Sequence, residues 1–181
     1  ALQDVGFDLR EGEHLGVIGP NGAGKTTLFN CITGMISPTR GTIRYQGEAI
    51  QGKKPFEIAR RGIGRTFQIV RPFPTLALTD NVLVALGHRH YPTLRRSVEP
   101  FRSAANCLAA DALLDRVGLG AERNRLAGTL PLGLKKRLEI ARALALEPKL
   151  LLLDEPSGGL RHEESQQLLE LILDLNREGI S

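Results

Sequence analysis

Residues 19–26 of the chain read Gly19-Pro20-Asn21-Gly22-Ala23-Gly24-Lys25-Thr26. Before them comes the apolar run Leu15-Gly16-Val17-Ile18-Gly19, which predicts a strand, and after them residues 25–34 predict a helix that ends at Gly34. Glycines between a strand and a helix let the backbone curve closely around an anion, and the start of the helix points N–H groups at that anion. Two glycines, a lysine and a hydroxyl residue at this spacing predict a phosphate-binding loop, for which a glycine-rich turn with an exposed lysine is the alternative.

The residues of this loop have separate predicted roles. Lys25 should reach the β and γ phosphates, and the hydroxyl of Thr26 should bind Mg²⁺. Thr27 can add a hydroxyl to the α phosphate. The backbone that would surround the phosphates belongs to Gly19, Pro20, Asn21, Gly22, Ala23 and Gly24.

A second group of candidate residues follows the apolar run Leu150-Leu151-Leu152-Leu153. The run predicts a strand that is buried on both faces of a parallel sheet, and ligands bind at the carboxyl ends of such strands. Asp154 is predicted to hold Mg²⁺ opposite Thr26, and Glu155 to orient or deprotonate an attacking water. An acidic turn after a core strand is the alternative for this segment taken alone.

The rest of the chain alternates strand and helix patterns. Residues 41–48 alternate around a glycine and predict a hairpin at the domain edge, and residues 79–127 are mostly helical in pattern, with Ser103 as an N-cap. Residues 135–146 and 162–177 predict two further helices. The predicted fold class is α/β, with a mainly parallel sheet, an antiparallel β edge and a helical subdomain.

The composition excludes several classes of protein. The chain has 181 residues, of which 41% are hydrophobic and 24% charged, as in one globular domain rather than a disordered or collagen-like chain. No apolar run reaches the roughly 18 residues of a membrane span. A net charge of +4 without interleaved aromatic residues does not indicate nucleic-acid binding. Cys31 and Cys107 are too few for a disulfide framework or a zinc site.

Three motifs in this order resemble those of the ABC transporter ATPases: the phosphate loop, residues 130–144 and residues 150–156. Where the signature of that family reads Leu-Ser-Gly-Gly-Gln, this chain has Leu130-Pro131-Leu132-Gly133-Leu134. Proline in place of the serine is similar to the branched-chain amino acid importer subgroup. The segments Gly64-Arg65-Thr66-Phe67-Gln68, 71–74 and 80–85 resemble the same subgroup.

The resemblance implies a P-loop NTPase fold in a single incomplete domain, residues 1–181. Residues 1–68 and 129–181 would form a RecA-like nucleotide-binding core with its β edge, and residues 69–128 a helical subdomain. The resemblance implies ATP and Mg²⁺ as cofactors and solute import as the function. Branched-chain amino acids are the implied solute, and urea or other amides are the alternative solutes.

The resemblance also assigns residues and partners. Lys25, Gln68 and Glu155 would be catalytic, and Gln68 would join Thr26 and Asp154 around the metal. A second ATPase subunit, identical or paralogous, would pair with this one. Leu130, Pro131 and Gly133 would then contact the ATP that is bound to the phosphate loop of that second subunit. The other implied partners are transmembrane permease subunits and, indirectly, a periplasmic or extracellular solute-binding protein. The resemblance places this chain at the cytoplasmic face of the membrane and implies no nucleic-acid partner.

The chain departs from the family at three places. It has neither the upstream aromatic residue that stacks on adenine nor the histidine after the strand that follows the last helix, and it has Arg161 where the family has Asp or Asn. We therefore expect an internal piece of a longer subunit, marginally stable and slow to hydrolyse ATP. The alternatives are a module that binds nucleotide without efficient hydrolysis, and a soluble ABC-type ATPase of DNA repair or translation.

Overall fold

The computed structural model of the chain describes residues 2–90 and 100–181. The helices are α1 (Lys25–Ile32), α2 (Pro55–Ala59), α3 (Leu78–His90), α4 (Ala104–Arg116), α5 (Leu132–Leu144) and α6 (His162–Arg177). The strands are β1 (Arg44–Tyr45), β2 (Glu48–Ala49), β3 (Ile63–Arg65) and β4 (Leu150–Leu152). Short 3₁₀ turns occupy Gly120–Glu122 and Ala127–Thr129.

The strands form one parallel and one antiparallel pair. In the parallel pair, β3 lies beside β4 with Gly64 opposite Leu151. In the antiparallel pair, β1 and β2 form the hairpin predicted for this region. Its turn residues Gln46 and Gly47 have φ values of 50° and 81°, the left-handed conformation that a tight hairpin turn requires.

Strand β4 separates two apolar clusters, as predicted for a strand buried on both faces. Leu150 and Leu152 contact a small cluster around Ile50, Ile58 and Ile63. Leu151 and Leu153 contact a large cluster built from α3, α4, α5 and α6. Successive side chains of a strand point to opposite faces, so a run of leucines can contribute to both cores.

The strand predicted at residues 15–19 is wrong for this structure. Residues 15–18 form no backbone hydrogen bond to a neighbouring strand in the described part of the chain, and Ile18 is 96% exposed. A strand is held by the ladder to its neighbours, and here the edge of β4 opposite β3 is bonded by Ser181, through Leu151 N to Ser181 O at 2.9 Å. The apolar sequence therefore predicted a strand, but these residues lack the pairing with a neighbouring strand that would form one.

The helix predictions are correct in place, and some of them differ at the ends. Helix α6 has the predicted bounds, and Ser103 caps α4 by accepting a hydrogen bond from Asn106 N at 3.2 Å. Helix α5 begins at Leu132, three residues before the predicted start, because Pro131 has the extended backbone of an N-cap. Residues 91–99 of the predicted helical segment lie outside the described residues. No helix in the described ranges is long and apolar enough to cross a membrane.

Candidate functional site

The predicted phosphate loop ends at the beginning of α1. The φ values of Gly22 and Gly24, 82° and 96°, place both in the left-handed region that glycine adopts without strain. The helix has no capping side chain and no acidic residue in its first turn. Because its first backbone hydrogen bond runs from Leu28 N to Gly24 O, the N–H groups of residues 25–27 remain without a partner inside the helix. These N–H groups and the positive end of the helix dipole suit an anion.

Lys25 lies against the same loop. Its Nζ donates to Gly19 O at 2.6 Å and to Pro20 O at 2.9 Å. Both partners are neutral carbonyls, so the positive charge of the ammonium is not neutralised by these contacts. The geometry keeps a cation at the loop, where phosphate oxygens would be its stronger partners.

Asp154 follows β4 and is held by an arginine that the sequence analysis assigned no role. Arg65 Nη2 donates to Asp154 Oδ2 at 3.1 Å, and both side chains are 6% exposed. The other carboxylate oxygen, Oδ1, makes no hydrogen bond to the described residues. Asp154 therefore has one anchored oxygen and one that a cation or its water could use.

Glu155 and Gln68 come together although 87 positions separate them in the chain: Gln68 Nε2 donates to Glu155 Oε2 at 2.8 Å. Glu155 has a φ of 48°, a left-handed backbone that costs a non-glycine residue roughly 1–2 kcal/mol. Its carbonyl oxygen accepts from Gly158 N at 3.1 Å and from Lys136 Nζ at 2.9 Å. These contacts hold the strained turn and direct the carboxylate to Gln68.

Lys136 is a second residue whose part the sequence analysis missed. Lys136 is 8% exposed, and its Nζ donates to the carbonyl oxygen of Glu155, so it is not a solvated surface lysine. Burial lowers the pKa of Lys136, and the charge of Glu155 opposes that shift. No sequence signal distinguished this lysine from its neighbour, since only the packing of α5 against the turn buries it.

The segment that resembles the family signature lies at the N-terminus of α5. Leu130 is buried, Pro131 is the exposed N-cap, and Gly133 is in the first turn. A Cβ on Gly133 would stand 3.0 Å from Glu164 Oε1, so the Glu164 side chain would have to shift by a few tenths of an ångström to accept a larger residue there. Arg161 caps α6 through its backbone N–H, which donates to Glu164 Oε2 at 3.0 Å, and its side chain is 89% exposed.

The structure thus forms two groups: Gln68 hydrogen-bonded to Glu155 next to Asp154, and the predicted phosphate loop. No hydrogen bond in the described residues joins residues 19–27 to Asp154 or Glu155. Each half fits its expected ligand: unpaired N–H groups and a lysine suit phosphates, and a free carboxylate oxygen suits Mg²⁺, which binds through one or two protein oxygens together with substrate phosphates. Within the described ranges no three His, Cys, Asp or Glu side chains form a metal cluster by themselves.

Comparison with known proteins gives relatives over almost the whole chain. The family model described as ABC transporter matches residues 2–158. The high-affinity branched-chain amino acid transport ATP-binding protein BraF of Pseudomonas aeruginosa is 44% identical over 98% of this chain and 72% of its own length. The corresponding protein LivG of Escherichia coli K12 is 41% identical over 97% of this chain and 71% of its own.

Solved structures agree with these relatives. MJ1267, an ATP-binding cassette of an ABC transporter, has a TM-score of 0.84 and 30% identity over 96% of this chain and 70% of that one. The ATP-binding cassette MJ0796, solved as a dimer in a post-hydrolysis state with ADP and Pi, has a TM-score of 0.80 and 26% identity over 96% of this chain and 74% of that one. This chain belongs to the ABC transporter family, as one of its ATP-binding subunits.

Proposed function

We propose that this ATPase powers the import of branched-chain amino acids through transmembrane permease subunits. The observation that carries the proposal is its 41–44% identity to BraF and LivG, both described as branched-chain amino acid transport ATP-binding proteins. The solute itself would be bound by the other subunits, so the proposal assigns this chain the energy-supplying step. Its place would be the cytoplasmic face of the membrane, with a solute-binding protein as an indirect partner.

ATP would lie on the phosphate loop, with its phosphates on the N–H groups at the start of α1 and on Lys25 Nζ. Glu155 is the proposed general base, taking the proton of the attacking water onto its carboxylate. Gln68, which donates to Glu155 Oε2 at 2.8 Å, would orient that carboxylate and the water beside it. Thr26, Gln68 and Asp154 would hold Mg²⁺, which supplies charge stabilisation to the transferred phosphoryl group.

A second ATPase subunit is proposed to complete the site. The first helical hydrogen bond of α5 runs from Lys135 N to Pro131 O, so the N–H groups of residues 132–134 have no partner inside the helix. This end of α5, with Leu130, Pro131 and Gly133, would meet the γ phosphate of the ATP on the other subunit. The proposed division of the chain keeps residues 69–128 as a helical subdomain and residues 1–68 with 129–181 as the nucleotide-binding core.

The function is tested by reconstituting the chain in lipid vesicles together with the permease subunits of a branched-chain amino acid importer and their solute-binding protein. Leucine uptake that depends on ATP inside the vesicles supports the proposal. Phosphonate or ribose uptake with the matching permeases, and none with leucine, would contradict the assigned solute class. ATP binding without turnover in any assembly would identify a binding module instead.

A further inference from the structure

Arg65 donates hydrogen bonds to two elements of the nucleotide-binding half, the residues after β4 and the end of α1. Its Nη2 donates to Asp154 Oδ2 at 3.1 Å, after β4. Its Nη1 donates to Asn30 Oδ1 at 2.7 Å and to Thr33 Oγ1 at 3.2 Å, at the end of the phosphate-loop helix. One guanidinium thus links the element that would hold the phosphates to the carboxylate that would hold the metal.

The surroundings of Arg65 leave its guanidinium little freedom. Its centre lies 5.7 Å from the ring of Phe29 and 5.0 Å from the ring of Phe67. The side chain is 6% exposed, and its Nε is buried without a hydrogen-bond partner among the residues that the structure describes. A planar fork between aromatic rings can keep two partners at a set separation, which a flexible lysine cannot do.

The contact to Asp154 uses only one of its two carboxylate oxygens. Oδ2 accepts from Arg65, and Oδ1 has no hydrogen bond to the described residues. A carboxylate that is anchored through one oxygen is already restricted in its rotation. The binding of the cation therefore does not have to restrict that rotation again. Groups that anchor a metal-binding side chain in this way typically contribute about 10–100-fold to metal affinity.

We propose that Arg65 is a positioning residue that ties Asp154 to α1 and leaves the second oxygen of Asp154 free for the cation that accompanies the nucleotide. The inference rests on the proposed role of Asp154 in holding that cation. Arg65 would not touch the metal itself. It would act by fixing the distance between α1 and the carboxylate that follows β4.

The experiment measures how tightly Mn²⁺ binds the chain saturated with ATP, from the free Mn²⁺ signal in electron paramagnetic resonance. The variants are Arg65→Met, Arg65→Lys and Asn30→Ala, with thermal unfolding recorded for each. The matched control is Arg142→Met, because Arg142 also pairs with a carboxylate, Glu139, and lies 5.3 Å from the ring of Phe73. Its Nε is likewise buried with no hydrogen-bond partner in the described ranges.

The expected result is a loss of Mn²⁺ affinity of about tenfold or more for Arg65→Met. Arg65→Lys should also lose affinity although it keeps the charge, and Asn30→Ala, which cuts only the link to α1, should show a smaller loss. Arg142→Met should leave Mn²⁺ affinity unchanged. If Arg65→Met does not fold, the other two variants carry the test.

Folded Arg65→Lys and Asn30→Ala proteins that both bind Mn²⁺ within about twofold of the wild type would overturn the inference, and a lowered melting temperature alone would then assign Arg65 a purely structural part. Asp154→Asn separates this failure from the larger one. If Asp154→Asn itself keeps full Mn²⁺ affinity, the metal role of Asp154 is wrong and the inference falls with it. If only Asp154→Asn loses affinity, the metal role stands and the inference alone is wrong.

Discussion

The helical side of this molecule and its phosphate-loop side are held together by different means. Helices α3, α4, α5 and α6 share one apolar cluster in which Leu78, Val82, Leu114 and Leu138 are fully buried. Residues 15–24 have no comparable core, and Ile18 is 96% exposed. Burial therefore stabilises the helical side, whereas the loop is held by the left-handed conformations of its glycines and by the contacts of Lys25. Substitutions on the two sides should therefore affect different measurements.

The largest expected effect belongs to the nucleotide side. Glu155→Gln should lower kcat by about 10²–10⁴-fold, because the amide cannot accept the proton of the attacking water. ATP affinity and melting temperature should stay close to wild type, and steady-state hydrolysis with a binding titration checks both. Glu163→Gln, an exposed position in α6, is the control. Normal turnover by Glu155→Gln would show that Glu155 is not the general base.

The matching test on the helical side is Leu114→Ala. Leu114 is fully buried in α4, so the substitution should cost about 2–5 kcal/mol of unfolding free energy. Leu108→Ala is the control on the same helix, since Leu108 is 71% exposed and its substitution should change stability by less than about 0.5 kcal/mol. Urea unfolding measures both. Equal losses from the two leucines would show that burial in this cluster does not determine stability.

Lys25→Ala should act on binding, and only weakly on folding. Loss of a charged donor to phosphate is worth about 1.5–3 kcal/mol, which corresponds to about 10–150-fold in ATP affinity. Its partners in the structure, Gly19 O and Pro20 O, belong to an exposed loop, so the melting temperature should hardly change. Calorimetric titration with ATP tests this, with Lys149→Ala as control. An unchanged affinity would contradict the phosphate contact.

The smallest effect is expected at a helix end. Ser103→Ala removes the side chain that accepts from Asn106 N at 3.2 Å and should cost about 1 kcal/mol of unfolding free energy, with ATP affinity unchanged. Ser165→Ala, inside α6, is the control because it caps nothing. If Ser103→Ala weakened ATP binding as much as Lys25→Ala does, the helical side and the phosphate-loop side would be coupled rather than independent.

The site was predictable to the extent that its parts are local in sequence. The phosphate loop, the carboxylates after β4 and the capped start of α4 follow from spacing and residue type, and the resemblance added Gln68. Arg65 and Lys136 were not predictable, because nothing in their neighbourhoods shows that one meets Asp154 and the other the carbonyl of Glu155. Those contacts depend on how α1, β3, β4 and α5 pack.

The sequence by itself determined the family through its ordered motifs, and it determined the hairpin and the extent of α6, since each of these elements depends on residues close to each other in the chain. Tertiary structure alone decided that residues 15–18 form no strand in these ranges, that α5 begins at Leu132, and that Asp154 and Glu155 have protein partners. Strand pairing and ion pairs join distant residues. Their free energy depends on separations and burial that only the folded chain establishes.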